Sequence, residues 1–150
     1  MMNYSNKKSG TIYYFNEISN FQLKEKKKIT AWLKWVIHQE QHQLNELRFI
    51  FCSDNYLYGI NLNYLAHNTL TDVITFSYAD QPNVIEGEIY ISVMRVQENA
   101  SKYQNTFKQE LYTVMVHGLL HLLGYNDYTK AEKCIMRQKE KWYTTNIDFD

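Results

Sequence analysis

His117 and His121 stand four residues apart in an apolar run, with Gly124 seven and Asp127 ten residues after the first histidine. On a helix, residues four apart differ by about 40° in direction and one turn in height. Two imidazoles at this spacing project to the same side and can share one ion. Gly124 can end the helix through a left-handed cap and turn the chain back, so that Asp127 offers a carboxylate to the same point. Imidazole nitrogen and carboxylate oxygen are ordinary zinc donors, and three protein ligands with an open fourth position describe a catalytic site rather than a structural one. The pattern predicts one divalent ion, zinc by preference, held by His117, His121 and Asp127 and used for hydrolysis.

With five histidines in the chain, an HxxxH pair arises by chance in roughly one such sequence in six. Requiring glycine at the seventh position and a ligand-type residue at the tenth lowers the coincidence to the order of one in a thousand. A buried structural role for the histidines is the competing reading, but two unpaired imidazoles on an apolar helix are costly and a shared ion removes that cost. The spacing also matches metzincin-type zinc sites up to the last ligand. In HExxH peptidases, however, the residue after the first histidine is the glutamate that acts as general base. Here it is Gly118, which leaves activation of water to the ion and disfavours proteolysis.

The ligands need a helix, and the segment from about Thr106 to Leu123 supplies it. Phe107, Leu111, Val114, Met115, Leu119, Leu120 and Leu122 make it apolar nearly all round, which predicts burial in the middle of the domain. Ahead of it the reading is a strand at 11–17, an amphipathic helix over 22–41, a strand at 46–52, and a helix capped by Ser53 and Asp54. A strand at 71–78, a turn at 80–83 around Pro82, a strand at 87–93 and a helix over 94–103 follow. A last helix runs from about Thr129 to Trp142. The order β α β α β β α α α predicts one α+β domain spanning 1–150, a small mixed sheet of about four strands packed with about five helices, the metal-bearing helix central.

Sixteen basic and sixteen acidic residues cancel, so any anion-binding surface must be local. Lys130, Lys133, Arg137, Lys139 and Lys141 are candidates for one basic face on the last helix, where phosphate contacts would fall if RNA is the partner. Lys24, Lys26, Lys27 and Lys28 read as a solvated helix start. Cys52 and Cys134 are far apart and lie in apolar-rich segments, which predicts reduced, buried thiols and a cytoplasmic protein. MMNYSNKKSG at the start has no apolar export region, and no stretch is long and apolar enough for a membrane span.

HGLLHLLGYND (117–127) resembles the signature of the YbeY family of bacterial rRNA-processing metallo-endoribonucleases. LTDVITFSY (70–78) resembles that family's TDVLSF strand segment and GEIYIS (87–92) its GDI strand, so the likeness covers nearly the whole chain. The resemblance implies an α+β fold with the metal-bearing helix against the sheet and one zinc. It also implies hydrolysis of single-stranded RNA in 16S rRNA 3′-end maturation and ribosome quality control, with RNA and the ribosome as partners and neither DNA nor membrane. Metal binding carries over to His117 and His121. The third family ligand is usually His; Asp127 in its place keeps a zinc donor but makes the ion a weaker Lewis acid.

The family usually has an Arg in the segment before TDV, where ungapped alignment places Leu65, which cannot hold a phosphate bidentately. His67, two residues on, is a candidate catalytic residue taking over part of that role, or an ordinary loop histidine. Asp72 reads as a strand-start turn or cap residue, with orientation of a ligand histidine as its alternative. Glu88 reads as a hydrogen-bonded strand carboxylate. Tyr125 is a candidate base-stacking residue, or packing at the helix end. The alternatives to a ribonuclease are a zinc metallopeptidase-like hydrolase and a non-enzymatic ribosome-assembly factor with a structural metal.

Overall fold

The computed structural model describes residues 10–65 and 71–148. Strands β1 (Thr11–Asn16), β2 (Gln43–Cys52), β3 (Val73–Ser77) and β4 (Val84–Ser92) form one sheet in the order β1-β2-β4-β3. β1 and β4 both run parallel to β2, while β3 runs antiparallel to β4 and closes one edge. Parallel neighbours need a crossover between them. Helix α1 (Lys26–Gln39) supplies it for β1 and β2, and α2 (Asp54–Leu65) with β3 supplies it for β2 and β4. Helices α3 (Val93–Lys102), α4 (Phe107–Leu122) and α5 (Lys130–Thr144) complete the chain. The expected α+β class and element order are borne out.

The boundaries differ where tertiary contacts override local pattern. α1 starts at Lys26 rather than Gln22, because Glu25 adopts a left-handed conformation (φ 61°). Its carboxylate is drawn to α4, accepting from Tyr112 Oη at 3.0 Å and pairing with Lys108 Nζ at 2.9 Å. α4 and α5 start where the sequence pattern sets them: Thr106 with Gln109, and Thr129 with Glu132, each form a reciprocal capping box.

Successive strand residues face opposite ways. On β4, Ile85, Ile89 and Ile91 are buried in the main core, together with Leu47, Phe49 and Phe51 of β2. Ile29, Leu33, Val36 and Ile37 of α1 and Val114, Met115, Leu119 and Leu120 of α4 fill the same core. A smaller cluster of Cys52, Leu57 and Ile74 lies under α2. α4 packs against β3, β4, α3 and α5, so the apolar helix is the central one. Gly118 lets it sit that close: a Cβ there would lie 2.7 Å from Ile89 Cγ2 and 3.3 Å from Val73 Cγ2. Any side chain at the position of the missing glutamate would thus have to displace Ile89.

One part-buried carboxylate ties the helical layer together. Glu40, at the C-cap of α1, accepts from Tyr125 Oη at 2.5 Å and from Tyr143 Oη, and pairs with Lys139 Nζ at 3.1 Å. Burial alone would raise the pKa of Glu40, but these bonds outweigh it and hold the carboxyl below its ordinary value. Lys139 is therefore not part of a free basic face. Cys52 is buried as expected, but Cys134 is exposed: it lies on the solvent side of α5, whose core side is marked by buried Met136 and Tyr143. Among the described residues, no helix is long and apolar enough to cross a membrane.

Two stability predictions follow from these contacts. Gly118→Ala gains about 1 kcal/mol of helix propensity but meets an overpacking cost of about 1–3 kcal/mol; a lowered urea midpoint is expected, and an unchanged or raised one would refute the close packing. Glu40→Gln should cost about 1–3 kcal/mol at neutral pH. Because the folded-state pKa is depressed, the contribution is present above the unfolded-state value and disappears as pH falls through the folded-state value. The gap in unfolding free energy between wild type and Glu40→Gln should therefore close on acidification.

Candidate metal centre

Relative to Gly118, which faces the sheet, His117 and His121 lie about 100° and 60° round the same side of α4. They therefore emerge at its flank, beside the edge strand β3. Gly124 (φ 106°) reverses the chain after α4, its N–H donating to the His121 carbonyl and that of Tyr125 to the Leu120 carbonyl. Asp127 is returned to the histidines by this turn, and the Thr129 capping box holds the chain on its other side.

The three donor atoms converge. His117 Nε2 and His121 Nε2 are 3.1 Å apart, and Asp127 Oδ2 lies 3.6 Å from the first and 3.4 Å from the second. Bonds of about 2.0–2.2 Å to one tetrahedral ion would separate its donors by about 3.3–3.6 Å. Both outward-facing ring nitrogens are occupied: His117 Nδ1 is 2.6 Å from Glu140 Oε2, and His121 Nδ1 is 2.9 Å from the Tyr125 carbonyl. Those acceptors assign the N–H to Nδ1 in each ring. The two Nε2 lone pairs then face each other and Asp127, an arrangement that calls for a shared cation. The donor set thus fits a metal ion, and these three residues are a group that could hold one.

The charges agree. Burial opposes protonation of His117, but the Glu140 hydrogen bond and charge, assisted by Asp72 and Asp127, outweigh it and raise its pKa. His121 moves the other way, lowered by burial and then by the positive charge of His117.

Asn61, Asp72, His117, His121, Asp127 and Tyr128 line a cleft of about 490 Å³ that runs along β3. Asp72 belongs to this cleft, yet its carboxylate takes a long hydrogen bond from Asn99 (3.4 Å). Glu140 is the carboxylate that orients His117. Glu88 projects from the opposite face of the sheet to Gly87 and Ile89, bonded to Tyr78 Oη at 2.7 Å and Arg48 Nε at 3.4 Å. Tyr125 packs against the core and donates to Glu40, with Lys139 Nζ over its ring, so packing is its role. The exposed aromatic is Tyr128, 84% accessible at the cleft rim. His67 lies outside the described residues.

Residues 13–148 match the family described as Endoribonuclease YbeY. The chain belongs to the YbeY family. Among its relatives, an endoribonuclease YbeY of Amoebophilus asiaticus is 61% identical over 132 residues, covering 88% of this chain and 90% of the relative. The YbeY endoribonuclease of Cytophaga hutchinsonii is 44% identical over 133 residues, 89% of this chain and 93% of its own. The solution structure of TM1509 from Thermotoga maritima superposes with a TM-score of 0.62 at 28% identity, over 89% of this chain and 87% of that one. The α+β architecture is therefore shared with a solved structure, and the YbeY relatives carry the name of an RNA-cleaving enzyme.

Sequence reasoning missed Glu140, Asn61 and Tyr128. Glu140 stands 23 residues beyond His117, so no local spacing links the two. A signal was nonetheless present: Glu140 lies four after Met136 and three before Tyr143, at the margin of the buried stripe of α5. Because such an acceptor fixes ring orientation, Glu140→Gln should weaken metal affinity by about 10–100-fold. Competition with a chromophoric chelator measures this; unchanged affinity would show that Glu140 does not position His117.

Proposed function

We propose that this chain is a zinc-dependent, single-strand-specific endoribonuclease of the cytoplasm, acting in 16S rRNA 3′-end maturation and ribosome quality control. The observation that carries the reading is the convergence of His117 Nε2, His121 Nε2 and Asp127 Oδ2, each ring oriented from behind, in a chain belonging to the YbeY family. His117, His121 and Asp127 would hold the ion, which supplies Lewis acidity for phosphodiester hydrolysis.

The remaining work falls to the protein. Glu140 and the Tyr125 carbonyl keep both Nε2 atoms unprotonated and aimed at one point, which pre-organises the site before substrate arrives. Asp127 contributes the third donor and a negative charge, which tempers Lewis acidity relative to three neutral imidazoles. The cleft along β3 is open to solvent at the Asp127–Tyr128 side, which suits an extended strand better than a duplex: unpaired bases can be splayed and stacked singly. Gly118 lies against Ile89, where no general-base carboxylate of the HExxH kind fits, and this disfavours peptide hydrolysis.

The decisive experiment compares wild type with His117→Ala for metal content by elemental analysis and for cleavage of an unstructured RNA. About one zinc per chain in the wild type is expected, with both metal and cleavage lost in the variant and circular dichroism unchanged. Full cleavage by chelator-treated protein would overturn the metallonuclease reading. Zinc retained by a wild type that cuts no RNA, yet binds ribosomal particles, would replace it with an assembly role.

A further inference from the structure

α5 carries a second feature, on the face turned away from Glu40. Lys130, Lys133, Arg137 and Lys141 line one surface concavity of about 470 Å³ with Cys134 and Gln138. Their spacing of three, four and four residues places one cation on each turn of a single helical face, and all four are exposed. Like charges at such spacing repel. Among the described residues none of the four is in an ion pair, whereas Lys28, Arg48, Arg95, Lys108 and Lys139 all are. The carboxylates that could have neutralised the row are committed elsewhere. Asp127, three before Lys130, and Glu140, three after Arg137, are both turned to the histidines. In a chain with no net charge, this is a local concentration of positive potential that its own fold leaves uncompensated.

The row also begins two residues beyond the cleft lining. Asp127 and Tyr128 line the cleft, and Lys130, two residues on, opens the concavity. From Lys130 to Lys141 the row extends about 16 Å. We infer that a single RNA strand leaving the metal cleft stacks a base on Tyr128 and lays its phosphates along Lys130, Lys133, Arg137 and Lys141. This rests on the reading of the chain as a ribonuclease, and it assigns the substrate's path outside the cleft. An exposed aromatic at the head of a cation row is the combination that holds single strands without reading their sequence: stacking accepts any base and the charges follow the backbone. The sequence pattern placed Lys139 in the same row; its pairing with Glu40 removes it and leaves four members.

The test is binding by chelator-treated full-length protein of a fluorescent oligouridine roughly twelve nucleotides long, followed by anisotropy across a salt series. Each phosphate neutralised on a single strand contributes about −0.7 to the slope of log K against log salt. Replacing all four cations by glutamine should therefore make the slope shallower by about 2–3, with circular dichroism unchanged. Arg137→Lys should leave the slope as it is, and Tyr128→Ala should weaken binding about tenfold or more at unchanged slope. An unaltered slope in the fourfold variant, or no RNA affinity in the wild type, overturns the path even if the enzyme cleaves RNA. Conversely, row-dependent binding by a wild type that cleaves no RNA when loaded with zinc supports the path and removes the ribonuclease reading.

Discussion

The approach of α4 to the sheet at Gly118 is the constraint on which the rest of the molecule depends. With hydrogen in place of a side chain, the helix axis comes in until Ile89 and Val73 fill the space a Cβ would need. That contact fixes the rotation of α4 about its axis, and rotation decides where His117 and His121 point. They emerge at the flank where the sheet ends, so the edge strand β3 becomes one wall of the cleft. A helix held farther out, or rolled by a fraction of a turn, would place the same imidazoles over the sheet or in open solvent. Packing and chemistry are therefore set by one small residue in the middle of a motif.

The two half-buried imidazoles of α4 have to be satisfied, and the solution here is spread across the fold. The Tyr125 carbonyl comes from the reversal after Gly124, Glu140 from α5, and Asp127 from the loop between. Glu40 performs an analogous service at a distance, drawing Tyr125, Lys139 and Tyr143 onto the end of α1. The carbonyl of Tyr125 faces His121 while its hydroxyl faces Glu40, so the clamp and the centre share a residue. α5 is consequently divided by function: one flank is neutralised and structural, and another remains charged and exposed.

Much of this was legible in the residues. The all-round apolar pattern of α4 and the glycine after Leu123 are local signals, and they located the histidine-bearing helix and its stop to within a residue. The start of α1 was not legible, because Glu25 takes its conformation from partners on α4 that lie more than eighty residues away in sequence. Glu140 escaped for the same reason. Cys134 was misplaced because neighbouring apolar residues suggested burial, while the helical phase set by Met136 and Tyr143 turns it to solvent. Gly118 read as the lack of a general base; only the neighbouring side chains reveal that a Cβ there would press on Ile89. Period and capping declare themselves along the chain, whereas contacts between distant elements do not.

The placement of Glu140 also has a temporal meaning. Chains fold progressively from their N-terminal side as they are made, and the histidines of α4 are synthesised well before the carboxylate that orients them. A growing chain that has extruded the sheet and α4 but not α5 carries both imidazoles with neither ring nitrogen of His117 anchored. Docking of α5 completes the centre and the cation row together. The centre therefore reaches its final geometry only when α5 seats against α4.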